Sequence, residues 1–326
     1  EITFAVQADE SVPGGEEPDV VVFTTRPDTL YGATFLALAP EHPLAGSMAT
    51  PDRSDAVGAM IERVRNKSER ERSAESKELG GEFSGRYACH PLTGEAVPIW
   101  VAEYVLPGYG TGAIMAVPSH DERDYAFAIK FGLPIIPVIE RLDGVSKSVV
   151  YPGTVRDMDQ LAERLKKAGI EFYREAVGDQ GDGLYVTLQG KKKTQRYLET
   201  MWEVIQPGSW NEVVGTRWAF VFAEGIVNFD SVEADQKILA RCQELCSWAG
   251  DFRTTMEMLD SKPFYRDVLF HHEYSTMINS EAFSGTPGDT AKQEVTEWLE
   301  EKARGEFRIN YRLHDWLISR QRMWGA

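Results

Sequence analysis

The chain opens with Glu1-Ile-Thr-Phe-Ala-Val-Gln7, where apolar and polar positions alternate as along a half-buried strand, and a polar stretch containing Gly and Pro runs on to Pro18. A linker strand and loop are therefore expected over residues 1–18. The short apolar run Val20–Phe23 has the mark of a buried strand, and it stops at Thr24-Thr25-Arg26-Pro27-Asp28-Thr29, a segment with turn chemistry and three hydroxyls. Val57, Met60, Ile61 and Val64 recur at helical spacing and predict a helix over Asp55–Arg65, while the following stretch, Lys67–Lys77, is so charged that solvent must hold it. Pro98–Leu106 reads as a strand leading into the glycine-rich turn Gly108-Tyr-Gly-Thr-Gly112, and Ala113–Val117 as another short strand. Ser119 with Glu122 forms a capping-box pattern that starts a helix near His120 and carries it to Phe131, with Gly132 as its stop. Asp121 and Asp124 then share one face of the opening turns.

From about Glu140 to His272 the pattern changes to a helix over Asp157–Ala168 stopped by Gly169, strands near Leu184 and Trp218, and a long helix over Ser231–Ala249. Asp230 with Glu233 is its expected capping pair and Gly250 its end. Ser275–Gly285 reads as a strand and turn, Thr290–Lys302 as an amphipathic helix using Val295, Trp298 and Leu299, and Phe307–Ala326 as a strand followed by an Arg/Trp-rich helix. There is no internal repeat. The expected fold is mixed α/β (α+β): a first core part over 19–139, an inserted α+β subdomain over 140–272, a second core part over 273–306 and a return linker over 307–326. Trp324-Gly-Ala326 closes the chain without a boundary signal, as a fragment of a longer protein would.

Composition narrows the function. With 326 residues, 42% hydrophobic and 26% charged, the chain can bury a sizeable core. No apolar run approaches the roughly 18 residues that cross a bilayer, and no signal peptide is visible, so a cytoplasmic protein without a membrane role is expected. Cys89, Cys242 and Cys246 cannot form an even disulfide framework, and the latter two, beside Leu239, Leu245 and Ala249, are expected to pack in a core instead of binding metal. The net charge of −16 argues against a free-standing nucleic-acid binder, because Lys and Arg supply most of the affinity for phosphates. Any RNA would be gripped mainly by something outside this chain.

Three motifs carry a resemblance. Thr24-Thr25-Arg26-Pro27-Asp28-Thr29, Tyr109-Gly-Thr-Gly-Ala-Ile-Met-Ala-Val-Pro-Ser-His-Asp-Glu-Arg-Asp124 and Met277-Ile-Asn-Ser-Glu-Ala-Phe-Ser-Gly285 resemble, in order and separation, the editing domain of leucyl-tRNA synthetases. Tyr311–Gly325 looks like the place where such class I synthetases return to the nucleotide-binding domain. The first motif is shared with isoleucyl and valyl enzymes, and the second decides for leucyl. The resemblance covers about Glu1–Val138 and Ser275–Ala326, whereas 140–272 is much longer than the compact bacterial pattern. Neither an HIGH-like nor a KMSKS-like signature occurs, so aminoacylation by this chain is not expected.

The resemblance implies a β-barrel-like core with surrounding helices and an activity: hydrolysis, by positioned water, of the ester that joins a wrong amino acid (isoleucine, norvaline, methionine) to the terminal adenosine of tRNA(Leu). It implies that Asp124 receives the α-ammonium, that Thr24 and Thr25 surround the ester with hydroxyls, and that Thr29 keeps the leucine branch out. Tyr109 and Met115 are placed around the adenosine and the amino-acid side chain, and Arg26, Asp28, Asp121 and Arg123 are assigned to the substrate-binding set. From the residues alone, the threonines equally serve a turn, Asp124 a helix start, Arg26 and Asp28 each other, and Arg123 a surface ion pair. His120 is read as a packing residue and His271-His272 as no metal site. Editing is expected to need no cofactor, ATP and magnesium belonging to the parent enzyme, and the isolated chain is expected as a monomer partnered by tRNA(Leu) and the rest of the synthetase. Competing readings are a catalytically silent tRNA-binding or structural insertion, and a hydrolase of small esters.

Overall fold

The computed structural model describes residues 1–7, 18–65, 79–108, 110–177 and 181–309. The Lys67–Lys77 run and the Arg/Trp-rich end of the chain lie outside the described residues. The fold is mixed α+β, with two six-stranded sheets among the described residues.

The first sheet is built from β1 (Ile2–Val6), β2 (Val20–Val22), β3 (Phe35–Leu38), β4 (Gly81–Cys89), β5 (Ala96–Ala102) and β6 (Ala113–Ala116), in the order β2-β1-β4-β5-β3-β6. All neighbours are antiparallel except β3 and β5. The two edge strands, β2 and β6, come within 8 Å of each other, so the sheet curls toward a barrel. The strand expected as a linker is thus an inner strand: alternation put Ile2, Phe4 and Val6 on one buried face, and that face belongs to the core. Helix α1 (Ser54–Arg65) buries Val57, Met60 and Val64 as its spacing predicts. Helix α2 (Glu122–Phe131) ends at Gly132, whose φ of 67° is the left-handed conformation a helix stop requires. Its start differs from expectation. Asp121 is the cap, accepting from the backbone N–H groups of Arg123 and Asp124, while the Ser119 hydroxyl donates to the carbonyl of Ile136. A carboxylate next to the first turn outcompeted the hydroxyl two residues earlier.

The second sheet lies wholly in the segment read as an insertion: β7 (Val145–Val150), α3 (Met158–Lys167), β8 (Glu171–Ala176), β9 (Asp182–Gln189), α4 (Lys191–Val204), β10 (Trp210–Gly215), β11 (Ala219–Phe222) and β12 (Gly225–Asn228). Its order is β12-β11-β10-β7-β9-β8, antiparallel throughout. The portion β7-α3-β8-β9-α4-β10 is the ferredoxin-like split βαβ arrangement. Adjacent residues point to opposite faces, and both faces are covered. Val149, Val214 and Phe220 join the core of the first sheet, whereas Val150, Val213 and Val221 pack under α3 and α4 with Leu161, Leu165, Tyr197 and Met201.

Helix α5 (Val232–Leu245) starts one residue later than the expected Asp230–Glu233 pair, because the Ser231 hydroxyl accepts from the Ala234 N–H. It stops at Cys246, and Ser247–Asp251 forms a separate 3₁₀ turn. Cys242 is fully buried in the core, as a small apolar residue. After α6 (Thr255–Asp260) and α7 (Arg266–Leu269), Ser275–Gly285 is no strand. Met277 makes a single bridge to Ile139, and Glu281–Phe283 turns as a 3₁₀ helix. Helix α8 (Gly288–Glu301) buries Ala291, Val295 and Leu299, and Gly305 then makes a single bridge to Ile2, while Phe307–Ile309, where a strand was expected to begin, belong to no strand.

A buried ion pair ties the helical layer to the second sheet. Lys262 donates to Glu212 of β10; Glu212 is 0% and Lys262 8% exposed. The Tyr265 hydroxyl donates to the same carboxylate at 2.9 Å, and the ammonium lies 4.8 Å from the centre of the Tyr151 ring. Removing one member of a buried pair leaves an uncompensated charge. Lys262→Met is expected to lower stability in urea unfolding by about 3–5 kcal/mol. A loss below about 1 kcal/mol, the size seen for exposed pairs, would contradict this reading.

Candidate functional site

The segment from Thr24 to Thr29 leaves β2 and folds back on itself as a 3₁₀ turn, Pro27–Gly32. Proline at the first position supplies the φ such a turn needs. Two of the three hydroxyls hold the turn: Thr24 Oγ1 accepts from the Arg26 N–H at 2.9 Å, and Thr29 Oγ1 donates to the Arg26 carbonyl at 2.9 Å. Thr24 thus retains its own proton to give away, Thr29 retains lone pairs and a methyl group, and the exposed Thr25 hydroxyl has no partner among the described residues. Arg26 grips Asp28 side-on, Nε to Oδ1 at 3.0 Å and the outer amino group to Oδ2 at 2.8 Å, and its guanidinium lies 3.9 Å from the centre of the Tyr274 ring. Both restraints fix the arginine head.

This turn, the end of β5, strand β6 and the start of α2 enclose a cleft of about 470 Å³. That is within the range of about 300–1,000 Å³ usual for small-ligand sites. Thr24, Thr25, Arg26, Thr29, Met115, Asp121, Arg123 and Asp124 all line it. One described member does not. Asp28 is 0% exposed and spends its carboxylate on Arg26, so it supports the arginine from behind and reaches no ligand. Tyr109 lies outside the described residues. Gly110 has a visible purpose: its φ is 58°, and a Cβ there would sit 2.7 Å from the Cβ of Phe23 in the cleft wall.

Asp124 lies deep in the cleft wall, 4% exposed. Its Oδ1 accepts from the Tyr104 hydroxyl at 2.6 Å and its Oδ2 from the Val117 N–H at 2.8 Å. Burial, followed by the charge of Asp121, pushes this carboxyl up to about 8, against the downward pull of those two donors and of Arg123. An approaching cation reverses the balance, because it restores the charged form that burial disfavours. Asp121 and Arg123 stand exposed at the rim, the former occupied in capping α2.

Tyr104 escaped the sequence reading. Its only signal was a hydroxyl-bearing aromatic at the end of an apolar strand, where a buried O–H must find a partner. Phe23, Val105, Leu106 and Ile114 give the cleft an apolar side, which the β pattern contained without marking. His120 also lines the cleft, but Nε2 accepts from the N–H groups of Val138 and Ile139 and Nδ1 donates to the His271 carbonyl. Burial draws its pKa down to about 3. Both nitrogens are committed and the ring is neutral, so it packs, as read from the sequence, and cannot serve as a base. Among the described residues no three His, Cys, Asp or Glu side chains gather as metal ligands do, and no helix is long and apolar enough to cross a membrane.

Tyr104→Phe keeps the ring against Phe127, 5.4 Å away, and deletes one donor to Asp124. The carboxyl should then be harder to ionise, and a carbon-13 NMR titration of Asp124 should show its midpoint moved above the wild-type value. An unmoved or lower midpoint would mean the hydroxyl does not hold the carboxylate.

Comparison with known proteins identifies the family. The family model described as "Leucyl-tRNA synthetase, editing domain" matches residues 1–172, more than half of the chain. A leucine–tRNA ligase of Roseiflexus castenholzii is 54% identical over 145 residues, covering 43% of this chain and 16% of that protein. One from Rubrobacter xylanophilus is 33% identical over 307 residues, covering 94% of this chain and 23% of that protein. The crystal structure of a ternary LeuRS–tRNA–LeuAMS complex from Agrobacterium radiobacter K84 matches at 42% identity with a TM-score of 0.36, covering 42% of this chain and 15% of that one. The chain thus spans no more than about a quarter of the length of these relatives. With the Thr24–Thr29 turn and the Tyr109–Asp124 segment inside the matched range, the chain belongs to the leucyl-tRNA synthetase editing-domain family.

Proposed function

We propose that the chain hydrolyses the ester of mischarged tRNA(Leu), with the terminal adenosine and its wrong amino acid in the Thr24–Asp124 cleft. The observation that carries this reading is the buried Asp124 carboxyl, braced on both oxygens and set opposite a wall of threonines. In this reading the α-ammonium of the bound amino acid pairs with Asp124, a charge-assisted hydrogen bond of about 1.5–3 kcal/mol, or about ten- to a hundredfold in kcat/KM. The ammonium fixes where the ester carbonyl lies. The Thr24 and Thr25 O–H groups remain to donate to the ester oxygens or to a water between them. Among the described residues no nucleophile paired with a base lines the cleft, so water attacks directly, helped by the neighbouring ribose hydroxyl, and the rate gain comes chiefly from positioning. No cofactor has a part in this scheme; the partners are tRNA(Leu) and the rest of the synthetase.

The direct test incubates the chain with isoleucyl- or norvalyl-tRNA(Leu). Release of amino acid well above the spontaneous rate is expected. Because the empty site holds a proton on Asp124 below about pH 8 and the ammonium displaces it, kcat/KM should climb toward that pH. Retention of tRNA on a gel with no release would instead identify a binding module.

Thr29 is assigned to exclusion. It is 3% exposed and its hydroxyl is pinned to the Arg26 carbonyl, so its volume in the cleft is fixed. A side chain difference of one methylene gives only about 1–3 kcal/mol of discrimination by attraction, whereas a clash rejects more strongly. Thr29→Ala should raise the hydrolysis of leucyl-tRNA(Leu) at least tenfold while leaving norvalyl-tRNA(Leu) within about twofold; Thr29→Tyr should block both. An unchanged leucyl rate in a folded Thr29→Ala protein assigns the exclusion to another residue.

A further inference from the structure

The helical layer of the second sheet carries a charge order that folding alone does not favour. Helix α3 ends in Arg164, Lys166 and Lys167, where the helix dipole welcomes cations. Helix α4 is reversed. Lys191, Lys192 and Lys193 fill its first turn with no acidic residue and no side-chain cap, while Glu199 and Glu203 fall toward its end. Each end opposes the dipole, and Lys192 and Arg196, four residues apart, repel one another on one face. A local rule broken twice in one helix points to function.

The topology joins the two sets of cations. The Lys193 ammonium donates to the carbonyl of Gly169, just beyond the end of α3, at 2.8 Å. Arg164 pairs with Glu203 and Lys191 with Glu140. Lys166, Lys167, Lys192 and Arg196 are exposed and have no ion pair among the described residues. The layer lies on the side of the second sheet away from the core of the first. In a chain of net charge −16, unpaired cations gathered at one end of a helix pair are the exception.

We propose that this patch grips the sugar–phosphate backbone of the tRNA whose 3′ end enters the Thr24–Asp124 cleft. The proposal rests on the editing reading above. Lysines act on phosphates as point charges without reading sequence, and each phosphate neutralised releases condensed counterions. A few such ion pairs on rigid helices offset the repulsion that the acidic remainder of the chain exerts on RNA. The cleft supplies chemistry and the inserted subdomain supplies hold.

The test uses two double variants, Lys192→Glu with Arg196→Glu and Lys166→Ala with Lys167→Ala. Lys192→Glu places acid in the first turn of α4, where the dipole favours it, and thermal melts of both double variants verify that the fold holds. Two mischarged substrates are compared, full-length tRNA(Leu) and a short oligonucleotide with the same terminal adenosine. For full-length tRNA, kcat/KM should fall at least tenfold in both variants, and the slope of log affinity against log salt should flatten by roughly 0.7–0.9 for each phosphate that is no longer neutralised. The short substrate should be unaffected. Unchanged binding, rate and salt slope with full-length tRNA overturn the patch, as does an equal fall for both substrates. If wild type hydrolyses neither substrate, the editing reading fails, and the salt titration of tRNA binding still decides the patch.

Discussion

A carboxyl group that burial wants neutral and that two fixed donors want charged lies at the centre of this structure. Asp124 reaches that state because α2 begins where it does. The Asp121 cap directs the first turn so that the next acid but one faces inward, toward the Tyr104 hydroxyl and the Val117 N–H. Strand β6 ends just before Val117, and Tyr104 follows β5, so three elements meet on one side chain. A shift of any of them by one residue would leave a buried carboxyl without partners, which the fold could not tolerate.

The opposite wall follows a different rule. The Thr24–Thr29 segment uses two of its three hydroxyls, those of Thr24 and Thr29, to hold its own backbone. Arg26 is clamped between the Asp28 carboxylate and the Tyr274 ring. The residues that form the turn are also the ones that face a ligand. The two roles that the sequence left open for these threonines are compatible, and rigidity of the turn is what makes a size filter at Thr29 physically reasonable.

Much of this was legible beforehand where one signal dominated. Val57, Met60 and Val64 placed α1, Gly132 and Gly169 ended their helices, and residues of the first two motifs share one cleft although 100 positions separate Thr24 from Asp124, whereas Met277–Gly285 lines a different one. Reading failed where two signals competed within a few residues. Ser119 and Asp121 both suit a helix start, as do Asp230 and Ser231, and only tertiary packing, such as Ser119 against Ile136, decides between them. The Ser275–Gly285 segment looks like a strand by composition, yet Asn279 and Glu281 adopt φ values of 49° and 45°, which no pattern of apolar residues announces. The ferredoxin-like order of the second sheet was hidden because edge strand β8, Glu171–Ala176, is almost wholly exposed and lacks an apolar face. Tyr104 was missed because its importance lies in a partner twenty residues away.

In the proposed reaction Asp124 holds the α-ammonium of the amino acid to be removed. A mischarged oligonucleotide ending in the terminal adenosine can be prepared with its amino group free or acetylated, the latter carrying no charge. Hydrolysis of the two forms by wild type and by Asp124→Asn, a substitution that preserves the shape of the side chain, measures the interaction between the two groups directly. Wild type is expected to favour the free amine by at least tenfold and the variant to treat both forms alike. If Asp124→Asn retains the full preference for the charged amine, the ammonium is held elsewhere and Asp124 is not its anchor.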